Sequence, residues 1–463
     1  MSTKNDIELL NFFIFNSTYA QTEDGEEKKV LYFYPPETDV DSQLKKVGLC
    51  EALIKFTASF NPTEPCRSFY TQKTKQFLFQ PEPNFWYVMI VSVPCVTVGW
   101  NNEYQSDRVQ ENVYSSLLRQ SYRMFQLFSG SFSSLIGEKI EENVNNLRTL
   151  LKNFYNDYLV NLKLSHCDIL DVFQGISFLP LGKEPFLHVQ SFVNLVETTF
   201  DPVRYSAFLY NDQLVWSSID LDDMQIIYQY LVYSLLPSHL DLELQGGSLP
   251  RSSNPAIHHY GSFVTGPSNL RDSVASTKKV PKVFLKNNTK PECFHLVVYR
   301  ALSATLCLFI DEKEALTSDL FNALDSYLGP QLTTLVSEVA EHCARYASMT
   351  AMNENGPKLI CYNKLNLAQK STVHLDNRKT GNIAIPETTL RIIADLNEDK
   401  KLIKQEDGEV FMKGINETWL IGKFCNFREF YVIVNHKKAS LVEISEEVKK
   451  LFDNRLKGLF FGD

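Results

Sequence analysis

Short, continuous apolar runs alternate along the chain with longer stretches in which apolar residues recur every three or four positions. The same order appears three times. In the first segment, runs at Leu9 to Phe15 and Val30 to Tyr34 predict two strands, joined by an acidic turn around Asp24-Gly25 and ended by Pro35 and Pro36. A helix is predicted from Asp41 to Phe60, then strands at Gln76 to Phe79 and from Phe85 onward. Two helices close the segment. Val109, Val113, Leu117, Met124, Phe125 and Phe128 share one face of the first; Ile140, Val144, Leu147, Leu151, Phe154 and Tyr158 share one face of the second.

The second segment places strands at Ile176 to Leu179 and Phe208 to Trp216 around a helix at His188 to Thr199, with a further helix at Asp222 to Leu236. From about Glu243 to Pro281, Gly246, Gly247, Pro250, Pro255 and Pro267 predict a long, partly disordered insertion. Strands return at Val283 to Leu285, His295 to Tyr299 and Thr305 to Ile310, and a helix from Thr317 to Ala347 is expected to break at Gly329-Pro330. The third segment begins after Asn353, Asn355, Gly356 and Pro357. Strands are predicted at Leu359 to Tyr362, Val410 to Lys413, Thr418 to Lys423 and Glu429 to Asn435, with Thr388 to Leu396 helical among them and a last helix from Ser440 to Leu456. Strands, a helix, more strands, then helices, repeated three times, give an α+β fold of antiparallel sheets flanked by helices. Domains are expected at 1–165, 166–350 with the 243–281 insertion, and 357–463.

Composition narrows what such a chain can do. At 463 residues it has length for about three domains. Forty-six Lys+Arg against fifty-five Asp+Glu give a formal charge of -9, which argues against a nucleic-acid partner. The nine cysteines include no C-x-x-C pair, as in a reducing, cytoplasmic setting. Asp6 and Glu8 interrupt what would be the basic start of a secretion signal. The uncharged run Phe85 to Trp100 is shorter than the ~20 residues of a spanning helix and carries Pro94, so it predicts a buried strand and a turn. Membrane association then has to be peripheral.

Motifs of covalent chemistry are missing. There is no phosphate-binding G-x-x-x-x-G-K-[ST] loop, G-x-G-x-x-G, H-E-x-x-H or G-x-S-x-G elbow, so no bond-making enzyme, cofactor or metal is expected. His166-Cys167 and His342-Cys343 are neighbours that point to different faces. Asp220, Asp222 and Asp223 resemble a Mg²⁺ site, but acids just before an apolar-periodic run serve better as a helix cap. His258-His259 lie in the insertion without further ligands nearby in sequence.

One helix stands out. On the Asp41–Phe60 helix, Val47, Cys50, Ile54, Thr57 and Ala58 fall on one side and Leu49, Leu53, Phe56 and Phe60 on an adjoining one. Together they cover about 200°, against the ~100° that docks a helix on one sheet. Either later helices of the same segment cover the surplus or a partner protein does. A second feature is the group Lys278, Lys279, Lys282, Lys286 and Lys290 around Val283-Phe284-Leu285. Lysines guarding an edge strand explain it best; contact with an anionic membrane is the alternative.

The stretches LLNFFIFN, KVGLCEALIKFT, TQKTKQF, EPNFWYVMIV and VYSSLLRQSY resemble the Ccz subunit family of the Mon–Ccz complex, the vacuolar or late-endosomal fusion proteins. FLYNDQLVWS, HYGSFVTGP, LGPQLTTLVSE, NLAQKSTVH and LVEISEEVKKLF continue the likeness almost to the C-terminus. The resemblance implies three tandem longin domains and a heterodimer with the Mon subunit through the first of them. It also implies guanine-nucleotide exchange on a late-endosomal Rab GTPase, a third scaffold-like subunit in metazoan relatives, and recruitment to late endosome, lysosome or vacuole membranes. Apart from HYGSFVTGP, no family pattern falls on 243–281, and none falls on Asp376 to Ala384. The alternative function is a non-catalytic tethering or adaptor subunit. On the helical arc and the family's use of this domain, the partner- or GTPase-binding candidates are Val47, Gly48, Leu49, Cys50, Glu51, Leu53, Phe85 and Trp86.

Overall fold

A computed structural model of the chain describes residues 6–19, 23–62, 66–98, 101–137, 140–164, 167–239, 261–267, 280–287, 290–349, 357–373, 385–402, 408–414, 418–436 and 438–455. Its first sheet is built on two strands that are apolar except at Asn11, Asn16 and Ser92. Strand β1 (Leu9–Asn16) lies beside β2 (Val30–Tyr34) and β5 (Phe85–Ser92), and the sheet continues through β4 (Thr74–Glu82) to β3 (Ser68–Tyr70), in the order β2-β1-β5-β4-β3 with antiparallel neighbours. Because side chains alternate across a strand, Phe12 and Ile14 enter one core and Phe13 and Phe15 the other. Tyr87, Met89 and Val91 of β5 join the first set; Trp86, Val88 and Ile90 join the second. Both faces therefore have to be covered, which is why these strands read as nearly continuous apolar runs.

Helix α1 (Val40–Phe60) covers the Phe13 face, and α2 (Glu111–Ser129), α3 (Phe132–Ile136) and α4 (Ile140–Asn161) cover the Phe12 face. Asp39 caps α1 by accepting the Ser42 N–H at 2.8 Å. On the opposite layer the Tyr155 hydroxyl donates to the Tyr87 hydroxyl at 3.0 Å and lies 3.1 Å from the Ser121 carbonyl, so the buried polar tips of the aromatic core have partners. Glu82 accepts the Phe132 and Ser133 N–H groups at 2.6 and 2.9 Å and holds the start of α3. A short hairpin of β6 (Cys95–Val98) and β7 (Asn101–Tyr104), which the apolar pattern does not foretell, follows β5.

The second sheet pairs β8 (Val203–Tyr210) with β9 (Gln213–Ser217) and β13 (Ala304–Asp311), then β12 (Lys290–Ala301) and β10 (Gly261–Thr265); β11 (Lys282–Asn287) also pairs with β12. Helices α6 (Lys183–Thr199) and Ser318–Met349 pack on it. Helix α7 (Leu221–Tyr230) lies between the second and third strands in sequence and runs into one π-turn at Leu231–Leu235. The third sheet has the order β15-β14-β18-β17-β16, formed by Ala368–Ser371, Lys358–Asn363, Arg428–Val434, Trp419–Cys425 and Gly408–Lys413. The Leu441–Arg455 helix covers one of its faces through Ile444, Val448 and Leu451. Numbered within their own repeats, the first and third sheets run 2-1-5-4-3, and the second keeps that order once its extra strand β11 is set aside; among the described residues each has one helix between its second and third strands.

The chain divides into two compact units, one of Met1–Val172 with Pro386–Lys404 and one of Phe173–Ile385 with Gln405–Asp463. The Glu387–Leu402 helix thus belongs to the first unit although its flanking strands belong to the second. Gln110 donates to the Arg391 carbonyl at 2.8 Å, Asn112 donates to the Ala394 carbonyl at 3.2 Å, and Arg391 pairs with Asp107 at 2.7 Å. Periodicity places this helix in sequence but says nothing of which sheet it joins.

Other expectations are corrected. The Ser318–Met349 helix runs straight through Pro330. Phe321, Leu324, Leu328 and Leu332 are fully buried along it, and burying four such side chains outweighs the ~3 kcal/mol that an interior proline costs. Part of the expected insertion is strand β10, held because Phe263 packs edge-on against Tyr299 and Phe321; residues 240–260 and 268–279, with His258 and His259, lie outside the described residues, as do His166 and 374–384. Ile176 to Leu179 makes only single bridges, Ile176 to Ala368 and Phe178 to Leu214. The acidic turn is a 3-10 helix, Glu23–Lys29. Asp220 occupies the N-cap position of α7 without a side-chain cap bond, and Asp223 instead accepts the Lys286 N–H at 2.6 Å.

The short helix α5 (Ile169–Phe173) begins with two carboxylates that cap it reciprocally: Asp168 accepts from Leu170 N–H, and Asp171 from Asp168 N–H. Burial pushes Asp168 up to about 7, with the Asp171 charge adding to the rise, and burial pushes Asp171 up to about 6. Both values lie above those of an unfolded chain, so the stabilising form is the protonated one. Its contribution is complete at low pH and is lost as pH rises through about 6 to 7. Thermal denaturation is expected to show that Asp171→Asn flattens the fall in stability between about pH 4 and pH 6, the span from the unfolded to the folded value of this carboxyl. An unchanged pH slope in the variant counts against the assignment.

Candidate docking surface on the first helix

Helix α1 is anchored by a narrow set of side chains. Val47 and Cys50 are buried against Phe13, Phe33, Trp86 and Val88, and burial pushes the Cys50 thiol up to about 12, so it acts as a small core group. Glu51 sits beside them and is 8% exposed. Burial alone would raise its carboxyl, but the Lys55 and Lys29 ammoniums, at 2.7 and 2.9 Å, hold it below the usual carboxylate range. The Glu51–Lys29 contact ties the helix to the end of the 3-10 helix before β2. At 100° per residue, Val47, Cys50 and Glu51 span roughly 100° of the helix.

The opposite flank is open. Leu49 is 51% exposed, Phe56 61% and Phe60 75%, and Leu53 is half-buried between them. The Phe56 and Phe60 rings stack edge-to-face on each other, 5.0 Å between centroids, rather than on the body of the protein. Gly48 lies on the same exposed side, and a Cβ built on it would meet no atom within 4 Å. The helices at the same place in the other two repeats are covered far more widely. Six consecutive residues of α7, Met224 to Gln229, are buried, and the Glu387–Leu402 helix buries Leu390, Ile393, Ala394, Leu396 and Asn397, an arc of roughly 160°.

The candidates from the sequence separate accordingly. Gly48, Leu49 and Leu53 face outward, together with Phe56 and Phe60, whose place on the arc was legible but which the candidate set omits. Val47, Cys50 and Glu51 are corrected to anchoring roles. Phe85 and Trp86, each 6% exposed, are corrected likewise: successive residues of β5 point into opposite cores and present no side chain to a partner. Among the lysines, Lys282 pairs with Glu312 at 2.6 Å and, with Lys286, flanks the buried Val283 and Leu285 on β11. Lys278 and Lys279 lie outside the described residues. Among those residues no group of three or more His, Cys, Asp or Glu could hold a metal, and no helix is long and apolar enough to cross a membrane.

Comparison with known proteins matches this architecture repeat by repeat. The family model for the first longin domain of INTU, CCZ1 and HPS4 covers residues 9–130, that for Intu longin-like domain 2 covers 203–329, and that for Intu longin-like domain 3 covers 353–451. A vacuolar fusion protein CCZ1 homolog from Xenopus laevis is 43% identical over 470 residues, covering 98% of this chain and 97% of the relative. The chain belongs to the CCZ1 family of vacuolar fusion proteins. A CCZ1 homolog from Nematostella vectensis is 42% identical over 98% of both chains, and one from Dictyostelium discoideum 28% identical over 97% of both. The three sheets are those of three longin domains, and α1 is the inter-strand helix of the first, the domain that the CCZ1 family model covers.

The two lysines of Glu51 are unequal, since Lys29 is 13% and Lys55 73% exposed. Glu51→Ala leaves the nearly buried Lys29 ammonium with only the more distant Glu26 carboxylate, at 3.7 Å, and is expected to cost about 2 kcal/mol in urea unfolding. Lys55→Ala is expected to cost under about 1 kcal/mol. Equal losses from both substitutions would refute the anchoring role.

Proposed function

We propose that this CCZ1-family chain is one subunit of a heteromeric guanine-nucleotide exchange factor that pairs with a Mon-type subunit through α1. The complex then releases GDP from a late-endosomal or vacuolar Rab GTPase. The observation that carries the proposal is Gly48. A glycine inside a helix costs about 1 kcal/mol relative to alanine, and nothing in the chain crowds this one. Its use therefore lies outside the chain, as a place where a partner's backbone approaches closely, next to the uncovered Leu49, Leu53, Phe56 and Phe60.

Exchange requires no nucleophile or metal of its own. A Rab protein holds its nucleotide through its phosphate loop, Mg²⁺ and switch regions. A surface that binds the nucleotide-free form more tightly than the loaded form shifts the equilibrium by that differential affinity. A composite platform of two longin domains suits such work, and recruitment to the membrane is peripheral in this proposal.

Three measurements test it. Gly48→Ala is expected to stabilise the isolated chain by about 1 kcal/mol while weakening binding of the Mon-type subunit by about tenfold. Leu49→Asp or Leu53→Asp is expected to abolish co-purification of that subunit with the fold intact by circular dichroism. Release of mant-GDP from the Rab by the wild-type pair should exceed the intrinsic rate. Release at the intrinsic rate from an intact pair would show a tethering or adaptor subunit instead.

A further inference from the structure

Strand β2 ends the first sheet, and a cavity of about 320 Å³ opens beside it. Its walls come from opposite faces of that sheet. Val40 and Leu44, in the first turns of α1, form an apolar wall; Lys152 and Asn156, one turn apart on α4, form a polar one; Tyr32 lies on the floor. The Tyr32 hydroxyl donates to Asn156 Oδ1 at 3.1 Å and fixes the polar wall against the strand. Lys152 is exposed and has no carboxylate partner among the described residues. Val40 is 48% exposed.

A terminal strand presents unpaired backbone N–H and C=O groups, the template on which an extended peptide adds as another strand. Side chains of such a strand alternate between the two faces of the sheet, so successive residues would meet the two walls in turn. One wall is aliphatic and the other offers an uncompensated ammonium. We propose that this groove binds an extended peptide segment paired with β2, with aliphatic side chains toward Val40 and Leu44 and acidic ones, at alternate positions, toward Lys152. Glu27 lines the groove as well and sets the acidic side chain at Lys152 by repelling it elsewhere. The site is separate from the exposed flank of α1 that runs from Gly48 to Phe60, and it stands whether or not the exchange-factor proposal does.

The probe is a fluorescein-labelled eight-residue peptide of alternating valine and glutamate, followed by anisotropy with the full chain. Saturable binding is expected, weakened at least about tenfold when alternate peptide nitrogens are methylated, since each methyl removes a donor to the strand. Lys152→Glu is expected to reverse the preference, so that a valine–lysine peptide binds more tightly than the valine–glutamate one. Leu49→Asp, on the other flank of α1, is expected to leave binding unchanged, which separates this site from the partner surface. Absence of saturable binding overturns the proposal. So does binding that ignores backbone methylation or the charge at residue 152.

Discussion

The burial of β1 and β5 on both faces is the constraint from which the first domain follows. Phe12 to Phe15 have no exposed surface, and their side chains enter two separate cores. Burying a large apolar side chain is worth roughly 1.5–3 kcal/mol, so uncovering either face would forfeit much of the domain's stability. One helix must cross one face and the later helices the other. The 2-1-5-4-3 strand order meets that demand with short connections: the helix after the second strand covers one side and the helices after the fifth cover the other.

Three copies of this solution meet three different environments. In the second repeat α7 is buried almost all round; in the third, the Glu387–Leu402 helix is held on α2 of the first unit by Gln110, Asn112 and Asp107. Only α1, among the described residues of these three helices, keeps a broad apolar flank open. The chain thus uses one architecture for intramolecular packing and, at α1, for a surface suited to association. That division agrees with membership of the CCZ1 family of vacuolar fusion proteins.

Charges in the first unit serve position rather than reaction. Glu51 anchors α1 through two lysines of unequal exposure, and Glu82 holds the start of α3. Cys50, Cys307 and Cys361 are buried, and burial pushes each thiol upward, away from nucleophilic character. The Asp168–Asp171 pair caps a single short helix.

Hydrophobic periodicity alone determined the α+β class, the threefold order of elements, most strands and the surplus apolar face of α1, because these follow from which residues avoid water. It could not assign sides. Phe85 and Trp86 looked alike in sequence, yet the one-residue alternation of β5 sends both into cores. Short strands such as β3, β10 and β15 carry too few apolar residues to announce themselves and form because a neighbouring strand offers its edge. Pro330 signalled a break that the burial of its helix overrode. Which surface α1 leaves open, which unit receives the Glu387–Leu402 helix, and where a free edge meets two unlike walls were decided only by tertiary packing, since each depends on contacts between residues far apart in the chain.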